Sequence, residues 1–248
     1  MRSEELRLWL NHFEYHAEHP RHVNAALADV LTAAERQLIA GSIATFQLGE
    51  QSQGNTLLRA AQRFADARGL AGLVRIVELF IHEEQRHAAL LRAFMEDHHI
   101  PLKTRDWTDR LFRRLRRLAG FELYLHVLIT AELIGNVYYR ALADATGCQR
   151  LKVLCRTLVA DELVHVAFES QLLLALDAAR PRWARRLTRA AHRLFLTVTA
   201  CTVWLTHRRL LRRCGYEARS FVRQCLTQYG FYLEPLDLPL ASSSRNRG

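Results

Sequence analysis

Apolar side chains recur every three or four residues along most of this chain, which is the spacing of helices that bury one face. No segment shows the strict alternation of a half-buried strand. Turn signals at Asp66–Gly69 and at Gly147 divide the central part into two helical hairpins, and a longer connection from Pro101 to Trp107 joins them. The pattern predicts an all-α fold centred on a four-helix bundle.

A carboxylate interrupts the apolar stripe of each of the four helices. Glu50 and Glu132 stand alone on the first and third helices. On the second and fourth helices the acid belongs to a Glu-x-x-His pair, whose two members lie on one helix face. The pairs are Glu84 with His87 and Glu162 with His165.

The inward stripes place these polar residues at positions that would otherwise be core. On the first helix the stripe continues beyond Glu50, which predicts one unbroken helix across Gly54. Its members are Ile43, Gln47, Glu50, Gly54 and Leu57. The stripe of the fourth helix comprises Leu154, Leu158, Glu162, His165, Glu169, Leu172 and Leu176.

The two hairpins place their carboxylates at matching heights, because residues equidistant from a turn lie level with each other. The midpoint between the two carboxylates falls in the break at Asp66–Gly69 for the first hairpin and on Gly147 for the second. Buried charges of this kind are tolerated only when they are paired or bound to metal. A third pair, Glu96 with His99, closes a helix before Pro101 without a matching carboxylate, so we interpret it as solvated helix-end residues.

Over about residues 36–178 these motifs resemble the ferritin-like di-iron carboxylate superfamily. The resemblance implies a ferritin-like four-helix bundle with extra N- and C-terminal helices and a site for two metal ions. It also implies that Glu84 and Glu162 bridge the metals. The implied ligand set is Glu50, Glu84, His87, Glu132, Glu162 and His165.

The acid before each pair, Glu83 or Asp161, also fits the resemblance. In the bacterial hydrocarbon monooxygenases of this superfamily the motif is similar to Asp-Glu-x-Arg-His, and the leading acid holds a ligand histidine of the other hairpin. The first copy here has Arg86, whereas the second has Val164 where the arginine is expected.

The third helix carries a candidate catalytic residue, Asn136. It stands where those monooxygenases have a threonine, and an amide can donate a hydrogen bond there. Gly135, Gly54 and Gly49 lack side chains near the implied metals, which predicts room for a small substrate.

The ligand types narrow the cofactor. Four carboxylates with two imidazoles suit iron or manganese. The five cysteines include no Cys-x-x-Cys pair, so no rubredoxin-like module is expected, and the scattered thiols indicate a reducing cytoplasm. The resemblance implies two iron ions, with a mixed manganese–iron centre left open, and dioxygen as co-substrate. An external reductase is expected as electron donor.

The sequence favours a dioxygen-activating di-iron oxygenase or hydroxylase with a small organic or carrier-bound substrate. A ferroxidase would use the same ligands. A tRNA-modifying di-iron hydroxylase would suit the net charge of +10, although no nucleic-acid motif with interleaved aromatics is present. The alternative that is not an enzyme is a structural helical interaction protein that binds no metal.

The flanking segments are less informative. One domain is predicted over 1–240, with a helix at 3–18, a helical extension at 181–229 and a disordered tail at 241–248. The apolar stretch Leu194–Thr206 is about 13 residues long and too short to span a bilayer. Basic runs at 113–117 and 180–193 suit an anionic partner, and a homodimer is left open. Five residues near the N-terminus are interpreted as a polar surface: His12, Glu14, His16, His19 and His22.

Overall fold

The computed structural model describes residues 3–23, 28–51, 54–106 and 120–234. Within these ranges the chain forms eight helices and no strand, which confirms the all-α prediction. The helices are α1 (Ser3–Glu18), α2 (Ala33–Glu50), α3 (Asn55–Arg68), α4 (Leu73–Asp97), α5 (Phe121–Asp144), α6 (Gln149–Ala178), α7 (Arg182–Arg213) and α8 (Ala218–Leu233).

Two groups of helices carry the implied ligands. The first group comprises α2, α3 and α4, in which α2 and α3 both pack against α4. The second group comprises α5 and α6, which pack extensively against each other. Contacts of α2 with α5 and of α4 with α6 join the groups around a common core. Fully buried side chains from all four ligand-bearing helices fill this core, including Ile43, Phe94, Tyr138 and Leu158.

The turn of the second hairpin lies where the sequence predicts it. Between α5 and α6, the Gly147 N–H donates to a Glu35 oxygen at 2.6 Å. Glu35 also completes a capping box with Thr32 at the start of α2. One carboxylate therefore closes the N-terminus of α2 and anchors the turn that sets the heights of the ligands on α5 and α6.

The first ligand-bearing helix ends at Glu50, so the prediction of one unbroken helix across Gly54 was wrong. Gly54 has a φ of +68°, a left-handed conformation that glycine adopts without strain. A Cβ atom there would lie 2.5 Å from Ile81 Cδ1, so close packing against α4 also requires glycine. The separate helix α3 ends at Arg68, inside the predicted break.

The last two helices cover one side of the core. α7 packs against α2 and α5, and α8 packs against α5, α6 and α7. The stretch Leu194–Thr206 lies within α7, which is kinked at His207. None of the described helices is long and apolar enough to cross a membrane. The basic run at 113–117 and the tail at 241–248 lie outside the described residues.

Candidate metal centre

The structure brings the six implied ligands into one cluster. Their donor atoms form two overlapping groups, and the atoms of each group lie within 4.8 Å of one another. One group is Glu50, Glu84, His87 and Glu162, and the other is Glu84, Glu132, Glu162 and His165. Glu84 and Glu162 belong to both groups, which is the arrangement that bridging carboxylates need.

Each histidine turns its Nδ1 atom toward the shared carboxylates. His87 Nδ1 lies 3.1 Å from Glu162 and 3.7 Å from Glu84. His165 Nδ1 lies 3.2 Å from Glu84 and 3.3 Å from Glu162. Both imidazoles are fully buried. Nδ1 is therefore the ring atom that each histidine offers to the centre of the cluster.

The opposite ring nitrogens are held by the acids that precede each motif. His87 Nε2 lies 3.1 Å from an oxygen of Asp161, and His165 Nε2 lies 3.0 Å from an oxygen of Glu83. Each acid thus contacts the histidine of the other hairpin. A carboxylate in this position fixes the tautomer and orientation of a ligand imidazole and makes it more basic.

Two arginines neutralise these acids. Arg86 donates to Asp161 at 2.6 Å and to Glu83 at 3.2 Å, so it links the two motifs. Arg21, in the segment after α1, donates to the other Asp161 oxygen at 2.6 Å. The second motif has Val164 in place of an arginine, and Asp161 obtains its second cation from the N-terminal segment instead.

The first helix covers the histidine side of the cluster. Phe13 is buried, and its ring lies nearly parallel to that of His165, with centroids 6.1 Å apart. His12 and His16 are half-buried with centroids 4.3 Å apart, and His16 approaches Glu83 within 4.8 Å. His12 and His16 lie on one helix face, since they are four residues apart, and are partly covered there. Glu14, His19 and His22 are exposed, as expected for a polar surface.

Burial and nearby charges set the protonation of the cluster. Burial alone lowers the pKa of His87, but its carboxylate neighbours outweigh burial and raise the pKa to about 10. Burial alone raises the pKa of Glu162, but His165 and His87 outweigh it and hold the pKa at about 2. Burial, reinforced by neighbouring carboxylates, raises the pKa values of Glu50 and Glu132 well above their ordinary range.

Several donor atoms of the cluster are buried without a hydrogen bond among the described residues. Both carboxylate oxygens of Glu132 are of this kind, and Glu84 Oε1 and His87 Nδ1 have only ion-pair contacts with facing ligands of the cluster. Buried polar atoms nearly always have a partner in folded proteins, so these atoms indicate a bound group. Carboxylate and imidazole donors suit divalent iron or manganese, and this donor set fits two such ions.

Two further side chains belong to the cluster and were not predicted as functional residues. The Tyr139 hydroxyl donates to a Glu50 oxygen, which positions a ligand at the end of a helix. Glu169 is 1% exposed and acts electrostatically on Glu132. Helical spacing could have identified both residues. Tyr139 lies seven residues after Glu132 and Glu169 lies four residues after His165, so each shares a helix face with a ligand.

A cavity of about 150 Å³ lies beside the cluster. The four ligand carboxylates line it, and neither ligand histidine does. The rest of the lining is mostly apolar and comes from α2, α5 and α7. It includes Phe46, Gly49, Leu128, Ile134, Gly135 and Val203. The prediction that Gly54 leaves room for a substrate was wrong. Gly54 does not line the cavity and packs against Ile81 instead.

No family model, curated protein or solved structure matches this chain.

The predicted catalytic residue Asn136 is fully buried. Neither of its amide atoms has a hydrogen-bond partner in the part of the chain that the structure describes. It does not line the cavity, and its catalytic role stays a prediction. Glu96 and His99, interpreted as solvated helix-end residues, are exposed at the end of α4, which confirms that interpretation.

Proposed function

We propose that this chain is a ferritin-like, dioxygen-activating di-iron oxygenase or hydroxylase that acts on a small organic substrate with an external electron donor. The observation that carries the proposal is the apolar cavity that ends on the ligand carboxylates. The cluster supports a two-metal site, and the cavity supports an organic molecule beside it.

In this proposal the two groups of donors would each hold one metal ion. When bound, the iron ions would supply the redox chemistry with dioxygen that side chains lack. The ligands would be Glu50 and His87 at one position, Glu132 and His165 at the other, and Glu84 and Glu162 as bridges.

The chain's own residues would orient these ligands and exclude water. Asp161 and Glu83 keep Nδ1 of the two histidines directed at the centre, and Tyr139 holds Glu50 in place. Phe13 closes the histidine side. The substrate would therefore approach from the carboxylate side, where the cavity lies.

The chemistry also requires a partner. Hydroxylation of a C–H bond places one oxygen atom of dioxygen in the substrate and reduces the other to water, which consumes a pair of electrons and a pair of protons from a donor. The exposed arginines of α7 provide a basic surface that suits an acidic reductase or carrier protein. They include Arg182, Arg186, Arg208 and Arg209.

The size and polarity of the cavity favour an oxygenase over the alternatives. An apolar cavity of about 150 Å³ holds a benzene-sized molecule. A ferroxidase must pass hydrated iron, and an apolar wall gives no compensation for the lost hydration. A tRNA-modifying enzyme must admit a nucleotide, whereas pockets for larger organic ligands measure about 300–1,000 Å³.

The direct test is a single turnover. Protein loaded with ferrous iron without oxygen would be exposed to isotopically labelled dioxygen together with a panel of small apolar molecules. We expect labelled oxygen in an organic product. Iron oxidation without any organic product, across substrates and donors, would instead support a ferroxidase.

A cavity-filling variant locates the substrate. A Cβ atom at Gly135 would lie 3.7 Å from the Tyr139 ring, an ordinary contact, so Gly135→Leu fits its helix and fills the cavity. We expect this variant to bind two metals and form no product. Gly41→Leu is the matched control, because Gly41 also lies in a helix, has open space at its Cβ and does not line the cavity. Retained turnover in Gly135→Leu would refute approach from this side.

A further inference from the structure

Glu169 is a buried carboxylate that the six-residue ligand set leaves unexplained. Only 1% of the residue is exposed, and its two oxygens face the carboxyl group of Glu132 and meet no amide, hydroxyl or cationic donor among the described residues. An isolated carboxylate is costly to bury without a cation or a hydrogen-bond donor. The position of Glu169 therefore requires a partner.

The helix directs Glu169 at one half of the cluster. Glu169 lies one turn after His165 and two turns after Glu162, on the same face of α6. Helical side chains tilt toward the N-terminus of their helix, which here points the carboxylate back toward those two ligands. The side chains that act on it electrostatically are His165, Glu84 and Glu162, and its carboxyl group lies within hydrogen-bonding reach of Glu132, whose oxygens have no other partner among the described residues. These four residues form the second donor group.

On α4, which carries the matching ligands of the other half, the corresponding position is not a carboxylate. Glu84 and His87 on α4 correspond to Glu162 and His165 on α6, so the counterpart of Glu169 on α4 is Leu91. Leu91 is fully buried and apolar. The extra carboxylate therefore breaks the symmetry of the two hairpins at one metal position only.

We propose that Glu169 is a further ligand of the metal ion held by Glu132 and His165, which makes the two metal positions unequal. The proposal rests on the two-metal site proposed above. A position with an additional carboxylate oxygen is richer in hard donors and favours manganese or ferrous iron over softer metals. The metal position formed by Glu50 and His87 lacks this additional carboxylate.

The test compares metal binding by the full-length protein and two variants. Manganese(II) is titrated into each protein without oxygen, and the free ion is counted by electron paramagnetic resonance. We expect the wild type to bind two ions. Glu169→Gln should bind one ion with wild-type affinity and the other roughly ten-fold or more weakly. Ser170→Ala should match the wild type, because Ser170 is a buried neighbour on α6 whose hydroxyl donates to the Ala167 carbonyl.

Thermal melting of the metal-free proteins separates a ligand from a structural carboxylate. Glu169→Gln replaces one of two crowded carboxyl groups with an amide of the same shape that can donate to Glu132, so the metal-free variant should melt no lower than the wild type. A lower melting temperature with equal weakening of both sites would overturn the proposal. Glu169→Asp provides a second variant, which keeps the charge but shortens the reach and should also lose one site.

A hydrogen-bonding role gives a different result. If Glu169 only donates a hydrogen bond to Glu132, the glutamine amide replaces it and both sites keep wild-type affinity, which would overturn the proposal. A wild-type protein that binds no manganese or iron would refute the two-metal site itself. A wild type that binds two ions together with a variant of unchanged affinity refutes only the ligand role of Glu169, whereas a wild type that binds no metal refutes the two-metal site.

Discussion

Asp161→Asn is expected to weaken the fold and the metal centre together. The Asp161 side chain is fully buried, accepts hydrogen bonds from Arg86 and Arg21 at 2.6 Å each, and lies 3.1 Å from His87 Nε2. Asparagine has nearly the same shape but no charge. The variant therefore removes the electrostatic contribution while it changes the packing little.

The expected size follows from the pKa of this acid. Burial alone raises the pKa of Asp161, but His87 and Arg86 outweigh burial and lower it to about 2. A folded pKa below the unfolded value stabilises the protein above about pH 4, and this stabilisation is lost as the pH falls through about 2. At pH 7 the charge contributes about 2 kcal/mol, and roughly half of that remains at pH 3. Loss of an acid that orients a ligand histidine should also reduce metal affinity about 10–100-fold.

Two measurements check these expectations. Denaturant unfolding of the metal-free protein at pH 7 and pH 3 gives the stability difference, and competition with a chelator gives the metal affinity. Asp177→Asn is the matched control. Asp177 lies on the same helix as Asp161 but away from the cluster, and it also pairs with two arginines, Arg180 and Arg189. It should lose some stability and keep wild-type metal affinity. Unchanged affinity in Asp161→Asn would refute the reasoning that this acid orients His87.

Three further predictions concern the ligands. His87→Ala and His165→Ala should lose metal to similar extents, whereas His99→Ala should bind like the wild type; metal loss from the last variant in a chelator competition would contradict the ligand assignment. Metal loading should release several protons, because the pKa values of both ligand histidines and of Glu50 are raised in the metal-free protein, so affinity should rise with pH. A weakly buffered titration with an indicator dye that showed no proton release would contradict this. Tyr139→Phe should keep two metals but weaken one site about ten-fold, and wild-type affinity at both sites would show that the hydroxyl does not position Glu50.

The sequence predicts what depends on spacing within a helix or across a short turn. The Glu-x-x-His pairs fix two ligands on one face, and the midpoint at Gly147 places Glu132 level with Glu162. The contact of each preceding acid with the histidine of the opposite hairpin was implied by the family resemblance and not by spacing, and the structure shows both contacts.

Features that depend on distant segments could not be predicted in this way. Beyond the break after Glu50, Gly54 adopts a left-handed conformation and packs closely against Ile81, which no periodic pattern reveals. The contact of Arg21 with Asp161 joins residues far apart in the chain. Helical phase placed Glu169 inward but did not show what it meets there.

Anaerobic uptake of ferrous iron tests the central claim most directly. Purified, folded protein is equilibrated with ferrous iron without oxygen, passed through a desalting column and analysed for iron per chain. The proposed two-metal site predicts about two equivalents in the wild type and a large loss when His87 and His165 are both replaced by alanine. A folded wild-type protein that retains almost no iron would contradict the proposed di-iron centre.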